Sequence, residues 1–381
     1  LGDELSHEHH DASIRRSVES ILRLQSENGA IIASPDFAQY HFCWLRDASF
    51  ISYALDRAGE HDGSSRYHSW VNSAVQGIAD VIDGVIAKRV QGEDLSPLEM
   101  PPARFALDGS TVVDDWPNFQ IDGYGTWLWS LGQHLNLTGT TKVPDELRDS
   151  VRRVAHYLST FAFSNCWDVW EENGDAQHTS TLASVYGGLT SAGRLLGDAQ
   201  YLVRAEEVRA HLLEDASRNG FYVKSSANGD VDASTLWLTS PFGVVEANDQ
   251  YFAKTVTLIE DRLVFNGGIR RYPTDVYFGS GAWPVLTATL GWHYVSVGNF
   301  EGAERCREWI ASHFDGDGRL GEQFDGEDHD YKHYHEWVLR WGLPAQDLVW
   351  SHAMFVVLSL ELEGARRTTT SSRADPEGSA S

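Results

Sequence analysis

Cysteine is scarce. The 381 residues hold three, Cys43, Cys166 and Cys306, an odd set without metal-type spacing, so no disulfide framework is implied and a reducing cytoplasm is favoured. Positive charge is also short: 30 Lys and Arg stand against 55 Asp and Glu, a net −25. A surface of that sign repels phosphate backbones and anionic lipids, so neither nucleic acid nor a membrane is an expected partner. No apolar run approaches the roughly 18 residues that span a bilayer. The opening LGDELSHEHHDAS lacks the basic patch and apolar run of a signal peptide. The chain begins at leucine, which leaves secretion after removal of a leader open.

Aromatic residues are plentiful. They make up 12% of the chain, with 14 Trp and 14 Tyr, against only two Met. Such a composition suits a pocket that stacks flat faces on sugar rings, although any single tryptophan is as readily a core residue. The length alone suggests two or three domains, unless the chain is an all-helical barrel, which accommodates it as one.

Apolar residues recur at helical spacing in Ile14–Leu24, Phe50–Ala58, Trp70–Val90, Tyr124–Leu137, Leu147–Phe161, Leu182–Leu196, Tyr201–Leu213, Tyr251–Leu263, Trp283–Val297, Ala303–His313 and Leu348–Leu362. The DASTLWL segment from Asp232 brings the expected helices to about twelve. Strand-like alternation is confined to FYVK at Phe221 and VFNGGIRRY ending at Tyr272, which read as loop hairpins. The expected organisation is an all-α domain over 11–363, with a flexible amino-terminal arm at 1–10 and a disordered tail at 364–381. No 34- or 40-residue consensus repeats, which counts against a solenoid.

Unusual clusters precede every second helix: CWLRD (Cys43–Asp47), WPNFQIDG (Trp116–Gly123), WEENGD (Trp170–Asp175), RYPTDVYFGSGAW (Arg271–Trp283), and GEQFD with AQDLVW (Gly321–Asp325, Ala345–Trp350). If outer and inner helices alternate around a closed ring, the loops entering the inner ones emerge at one end and gather at one mouth. Two carboxylates work on a glycosidic bond when one protonates the departing oxygen and the other takes a proton from water. WEE and GEQFD supply glutamates in aromatic settings that meet this need. For WEE the bland reading is dipole compensation at a helix start; for GEQFD it is a plain turn. Arg46 and Asp47 are either a surface ion pair or, given their apolar approach, a buried pair that hydrogen-bonds sugar hydroxyls. Asp122 is either a helix cap or a site residue. Trp116, Tyr277, Trp283 and Trp350 fit the core as well as a pocket.

Histidines at His7, His9 and His10, and at His329, His333 and His335, lack spacing specific to zinc, and no metal or cofactor is expected. Neither a phosphate-cradling loop nor a Gly-x-Ser-x-Gly elbow is visible.

Taken together and in this order, the five clusters resemble glycoside hydrolase family 15, the glucoamylases, glucodextranases and related exo-acting α-glucosidases, from about Ile14 to Leu362. The resemblance implies an (α/α)₆ barrel. It maps the general acid to Glu171 and the general base to Glu322, and places Tyr40 beside the catalytic water. Substrate contacts map to Arg46, Asp47, Trp116, Gln120, Asp122, Trp170, Glu172, Arg271, Tyr277, Trp283 and Trp350. It implies inversion, with carboxyl groups roughly 6.5 to 9.5 Å apart, and opposite protonation requirements that give a bell-shaped activity profile. On this reading Glu171 is raised by burial near Trp170 and Glu322 ionises. The expected reaction is exo-hydrolysis of short α-glucans or gluco-disaccharides. A trehalase, a phosphorylase on a similar barrel and a non-catalytic sugar-binding barrel are the rival readings. No starch-binding appendage follows the barrel, so raw starch is not the expected substrate. The aromatic insert 326–344 is expected to crown the pocket mouth. Linkage preference, chain length and oligomeric state stay open.

Overall fold

The computed structural model describes residues 2–112 and 114–374. Among them run fourteen α-helices: α1 (Gly2–Leu24), α2 (Leu45–Arg57), α3 (His61–Gly77), α4 (Ala79–Gln91), α5 (Asp122–Leu137), α6 (Asp145–Phe161), α7 (Thr179–Leu196), α8 (Ala199–Asn219), α9 (Gln250–Leu263), α10 (Pro284–Ser296), α11 (Phe300–Ala311), α12 (Gly326–His329), α13 (Tyr331–Trp341) and α14 (Val349–Ala374). A six-residue 3-10 helix, Ala233–Leu238, joins them. Two two-stranded antiparallel ribbons, β1 (Cys43–Trp44) with β2 (Arg104–Phe105) and β3 (Val264–Phe265) with β4 (Gly268–Ile269), and three 3-10 turns, Ala38–Tyr40, Pro97–Glu99 and Tyr277–Gly279, complete the described elements.

Burial sorts the helices into two rings. In α2 every residue from Leu45 to Asp56 is buried, and in α10 every residue from Pro284 to His293. A helix apolar or buried all round has neighbours on both sides. In α8, by contrast, only Tyr201, Ala205, Val208, Leu212 and Ala216 are buried, one face at helical spacing. The inner elements pack in a closed circuit: α2, α5, α7, the 3-10 helix, α10, α14 and back to α2. The outer partners α3, α6, α8, α9, α11 and α1 lie against them in turn. This is the (α/α)₆ barrel, with α4 as an extra helix against α6.

Inside the ring, Phe50, Trp129, Trp237, Phe242 and Trp350 form one aromatic plug, with Phe50 stacked on Trp350 at 5.5 Å and tilted against Trp237 at 5.3 Å. Through Trp350 the plug reaches the cavity described below. Local chemistry sets the helix limits. Asp249 accepts from the N–H groups of Tyr251 and Phe252 at the start of α9, Pro284 opens α10, and Gly197 and Gly220 end α7 and α8 in the left-handed region.

Several expectations change. The run Trp70–Val90 is two helices, broken at Ile78, whose backbone leaves helical values. The Asp232 segment is a 3-10 turn of the inner ring, too short for an α-helix. FYVK at Phe221 forms no strand; isolated bridges tie the following Ser225 to His178 and Asn228. The VFNGG hairpin is present as β3 and β4, with Asn266 and Gly267 at positive φ in its turn. The expected arm at 1–10 is helical from Gly2, continuous with α1. Helix α14 carries the expected tail as far as Ala374, and the rest of it lies outside the described residues.

Helices α5 and α7 meet backbone to backbone. A Cβ on Gly125 would lie 2.4 Å from the Ser184 carbonyl oxygen, and one on Gly188 would lie 2.7 Å from the Gly125 Cα. Gly125→Ala should therefore destabilise the barrel by about 1–3 kcal/mol in denaturant unfolding. Gly84→Ala on exposed α4, where a Cβ meets nothing within 4 Å, should leave stability equal or slightly higher. Equal behaviour of the two variants would contradict the close approach.

Candidate active site

The loops that enter the inner helices gather around one cavity of about 330 Å³. Glu171 sits on the loop between α6 and α7, not in a helix, and adopts φ +65°. Left-handed backbone is unfavourable for a side-chain-bearing residue, so the loop must be held from outside. Asp168 Oδ1 accepts from the N–H groups of Trp170 (2.9 Å) and Glu172 (2.8 Å), the two neighbours of Glu171. The Glu171 side chain is oriented just as firmly. Its Oε1 accepts from the Trp44 indole at 2.6 Å, the Trp116 indole at 2.9 Å and the Gln120 amide at 3.1 Å. Three N–H donors on one oxygen forbid a proton there, so a protonated Glu171 carries it on Oε2.

Glu322 lies opposite, on an extended segment clamped from both sides. Its N–H donates to the Ala345 carbonyl at 2.9 Å, and Phe324 exchanges two backbone bonds with Ala282. The Gln323 amide oxygen accepts from the Gly281 N–H at 2.9 Å. Glu322 Oε1 accepts from the Tyr40 hydroxyl at 2.7 Å. Tyr40 has one proton and gives it to Glu322, so the Tyr277 hydroxyl, 2.9 Å away, donates to the Tyr40 oxygen. Glu322 Oε2 is buried without a protein partner. Burial pushes the Glu322 carboxyl up to about 7, against the opposing pull of the Tyr40 hydrogen bond and the Arg271 guanidinium.

Two buried guanidiniums flank this pair. Arg46 donates from Nε to Asp47 (3.1 Å) and from one terminal nitrogen to Gln120 and Asp122 (3.2 Å each), and lies 5.8 Å over the Trp350 ring. Burial raises Asp47 to about 6, with Arg46 opposing. Arg271 donates to Asp275 and, at 3.3 Å, to Glu172, and sits among the rings of Trp170, Tyr277 and Trp283. The surface ion pair envisaged for Arg46 and Asp47 does not apply, since both are buried.

Tyr40, Arg46, Asp47, Trp116, Trp170, Glu171, Glu172, Arg271, Tyr277, Trp283, Glu322 and Trp350 all line the cavity. Gln120 and Asp122 do not. They stand behind Arg46, and Gln120 also holds Glu171, so their part in the site is indirect. Asp122 is no helix cap either, because its carboxylate is turned to Arg46. The insert histidines are each tied locally: His329 to the Gly279 carbonyl, His333 to Asp330 and His335 to Glu327. The side chains of His7, His9 and His10 lie outside the described residues.

Sequence reasoning missed the supports. Lys224, buried, lies 2.7 Å from Asp232 and 3.1 Å from Asp168, while Asp232 also accepts from the Trp170 indole at 2.9 Å. Lys224 further stands 3.9 Å over the Tyr272 ring, whose hydroxyl donates to Glu172. Arg104 stacks on Trp116 at 3.8 Å and lies near Trp44 at 5.2 Å, fixing both indoles that hold Glu171. The available signal was a lysine and an aspartate in the VKSSANGDVDAS loop, which also enters an inner helix. Nothing in the string shows that they meet Asp168.

Comparison with known proteins agrees with this geometry. The chain matches the model of glycosyl hydrolases family 15 over residues 8–306. It is 35% identical over 358 residues to an isomaltose glucohydrolase of Kribbella flavida, covering 91% of this chain and 92% of that protein. Trehalase 1 of Sulfolobus acidocaldarius is more distant, 25% identical over 77% of this chain and 53% of that protein. Among solved structures, a wild-type glycosidase superposes with TM-score 0.89 at 35% identity, over 94% of this chain and 98% of that one. A glutamate-to-alanine glycosidase variant in complex with glucose gives TM-score 0.89 at 34% identity over the same shares. A glucoamylase from Saccharomycopsis fibuligera, at 16% identity and TM-score 0.72 over 94% of this chain and 95% of that one, shares the barrel. The chain belongs to glycosyl hydrolases family 15. It is an O-glycosyl hydrolase of the exo-α-glucosidase type.

Lys224→Met would leave Asp168 and Asp232 buried without their counter-charge. Breaking a buried pair this way costs about 3–5 kcal/mol, and the thermal unfolding midpoint should fall accordingly. An unchanged midpoint would mean that Lys224 does not hold the loop.

Proposed function

We propose that the protein is an inverting exo-α-glucosidase that removes one glucose from the non-reducing end of a gluco-disaccharide or short α-glucan. Glu171 is the general acid and Glu322 the general base. One observation carries the reading: two carboxylates line the same cavity with complementary free oxygens, Glu171 Oε2 outside its cradle of three donors and Glu322 Oε2 buried and unpartnered. The Glu171 proton passes from Oε2 to the glycosidic oxygen as the bond to the anomeric carbon breaks. A water beside Glu322 Oε2 attacks that carbon from the opposite face and gives its proton to Glu322. The products are β-glucose and the shortened leaving group. This course requires room for water between the carboxyl groups, a separation of about 6.5–9.5 Å. Arg46 with Asp47, and Arg271 with Glu172, present hydrogen-bonding groups to the terminal glucose, while Trp170, Trp283 and Trp350 offer it apolar faces.

The similarity to an isomaltose glucohydrolase supports an α-1,6 disaccharide as the first substrate to try. The trehalase similarity keeps trehalose in the same panel. Isomaltose, maltose, trehalose and dextran, assayed for glucose release, rank the linkages; binding without release from any of them would leave only a sugar-binding barrel. Glu171→Gln and Glu322→Gln should each lower kcat by about 10²–10⁴ or more, with unfolding midpoints near wild type. Near-normal turnover in either would remove that residue from its role. The anomer released first, read by polarimetry or NMR, should be β; an initial α signal defeats inversion.

Glu322 must act ionised, and it is raised to about 7. kcat/KM should therefore fall as pH drops through about 7. Tyr40→Phe removes the hydroxyl that favours the ionised form, so the acid limb of its residual activity should move to higher pH. A limb that stays put would show that another group sets it.

A further inference from the structure

The insert contributes a wall that the terminal glucose does not need. Helix α13 begins where Asp330 accepts from the His333 N–H at 3.2 Å and buries none of its residues fully. It docks on a small separate core of Phe37, Phe278 and Ala345, with Trp337 5.0 Å from the Tyr277 ring and 5.9 Å from Phe278. The loop that receives it is tightly wound. Phe278, Gly279 and Ser280 all have positive φ, and a Cβ on Gly279 would meet the Gly326 carbonyl oxygen at 2.2 Å.

Three residues one helical turn apart, Trp337, Arg340 and Trp341, line the cavity from this helix. The Arg340 guanidinium lies 5.4 Å from the Trp337 ring and 5.0 Å from the Trp341 ring. Arg46 and Arg271, the other guanidiniums at the cavity, are each held by carboxylates. Arg340 forms no ion pair among the described residues, so its fork of donors is stacked in place and uncommitted. The same wall holds a buried, unpartnered donor, Trp341 Nε1. Asp47, Glu171, Glu172 and Glu322 face the same space. With Glu171 carrying the proton it donates, three carboxylates balance three guanidiniums, so the cavity has no net charge to draw an anion and suits a neutral ligand rich in hydroxyls.

We propose that α13 is the leaving-group site, in which Arg340, stacked on Trp337 and Trp341, hydrogen-bonds the hydroxyls of a single neutral sugar ring on the far side of the scissile bond. The cavity lies at the small end of the about 300–1,000 Å³ range of ligand pockets. Arg340 is thus a specificity-determining residue that selects disaccharides over longer chains. The proposal rests on the exo-α-glucosidase reading.

The test compares two substrates that share the glucosyl part and differ in what leaves. One is the disaccharide that the wild-type enzyme hydrolyses fastest. The other is α-glucosyl fluoride, whose one-atom leaving group cannot reach α13. In Arg340→Ala the ratio of kcat/KM for disaccharide over fluoride should fall about tenfold or more, as for a lost hydrogen bond to a charged donor. Arg340→Lys, which keeps charge but loses the planar fork, should fall between the two. Trp337→Ala should raise the relative rate on a trisaccharide. An unchanged ratio in both Arg340 variants, or equal loss on both substrates, overturns the proposal while leaving the glucosidase reading intact. Wild-type inactivity on every substrate would sink the glucosidase reading itself. If Arg340→Ala does not fold, Arg340→Gln takes its place in the comparison, with the same drop expected.

Discussion

The site depends on keeping one residue in a backbone conformation it does not favour. Glu171 at φ +65° points its carboxyl across the cavity because the peptides on either side of it are bound to Asp168. Asp168 is in turn tied to Lys224, and Lys224 to Asp232, which grips Trp170. Burying two carboxylates and one ammonium is costly unless each has partners. Here the cost is offset only when all three members and the Trp170 loop are in place together. The cluster therefore works as a latch: the loop is correct when the charges are paired, and the charges are paired only when the loop is correct. The active-site geometry is in this sense a folding product of the layer beneath it.

The two glutamates are controlled by opposite means. Glu171 sits in a polar cradle, three N–H groups on one oxygen, which settles where a proton can reside. Glu322 sits in a dry wall with one hydroxyl partner, which raises its carboxyl to about 7 and makes it a better proton acceptor than an exposed glutamate. The two arrangements also differ in how they resist water. The indoles of Trp44 and Trp116 seal Glu171 while donating to it. Around Glu322 the Tyr40 and Tyr277 rings exclude solvent while their hydroxyls pass a hydrogen-bond chain inward. Tryptophan and tyrosine serve both sides because each carries a large apolar face and one polar tip.

Much of this was legible in the string. Helical periodicity located most of the barrel helices, because α6 and α8 show a clean one-sided pattern and α10 is apolar nearly all round, whereas α2 is buried all round despite its Arg46, Asp47 and Asp56. The ordered clusters before every second helix gave the mouth and most of its lining, but not Phe37, Gln39 or the residues that α13 adds. The sequence was silent on partnership. Gln120 and Asp122 read as substrate contacts, but the side-chain reach of Arg46 interposes itself between them and the cavity. Lys224 and Arg104 were invisible, since one buried lysine in a polar loop looks like a solvated one until its carboxylates are brought from 56 residues upstream and eight downstream. The break at Ile78 was hidden because an apolar residue at a helix junction keeps the periodicity intact. Helix α13 was seen only as composition, a run of aromatics and histidines, because it packs on the barrel through a few side chains and lacks a buried stripe.

The barrel explains why such different supports can coexist. Its inner helices are packed tightly enough that Gly125 and Gly188 leave no room for a methyl group, so the loops are anchored at fixed points around the rim. Each loop can then carry its own groups: a strained glutamate, a dry glutamate, two guanidinium pairs, and an added helix. The first four face one cavity, where Arg46 ties Asp47 to Asp122 and Arg271 ties Glu172 to Asp275. The helix is different in kind. It touches the rest through Phe37, Ala345, the wound loop at Phe278–Ser280 and the Tyr277 ring, so its alteration leaves the latch under Glu171 untouched. A wall that leaves the latch alone and reaches Glu322 only through the Tyr277 ring is one that can vary without dismantling the rim. That separation is the physical reason to look for substrate selection in α13 and for catalysis in the loops of the rim.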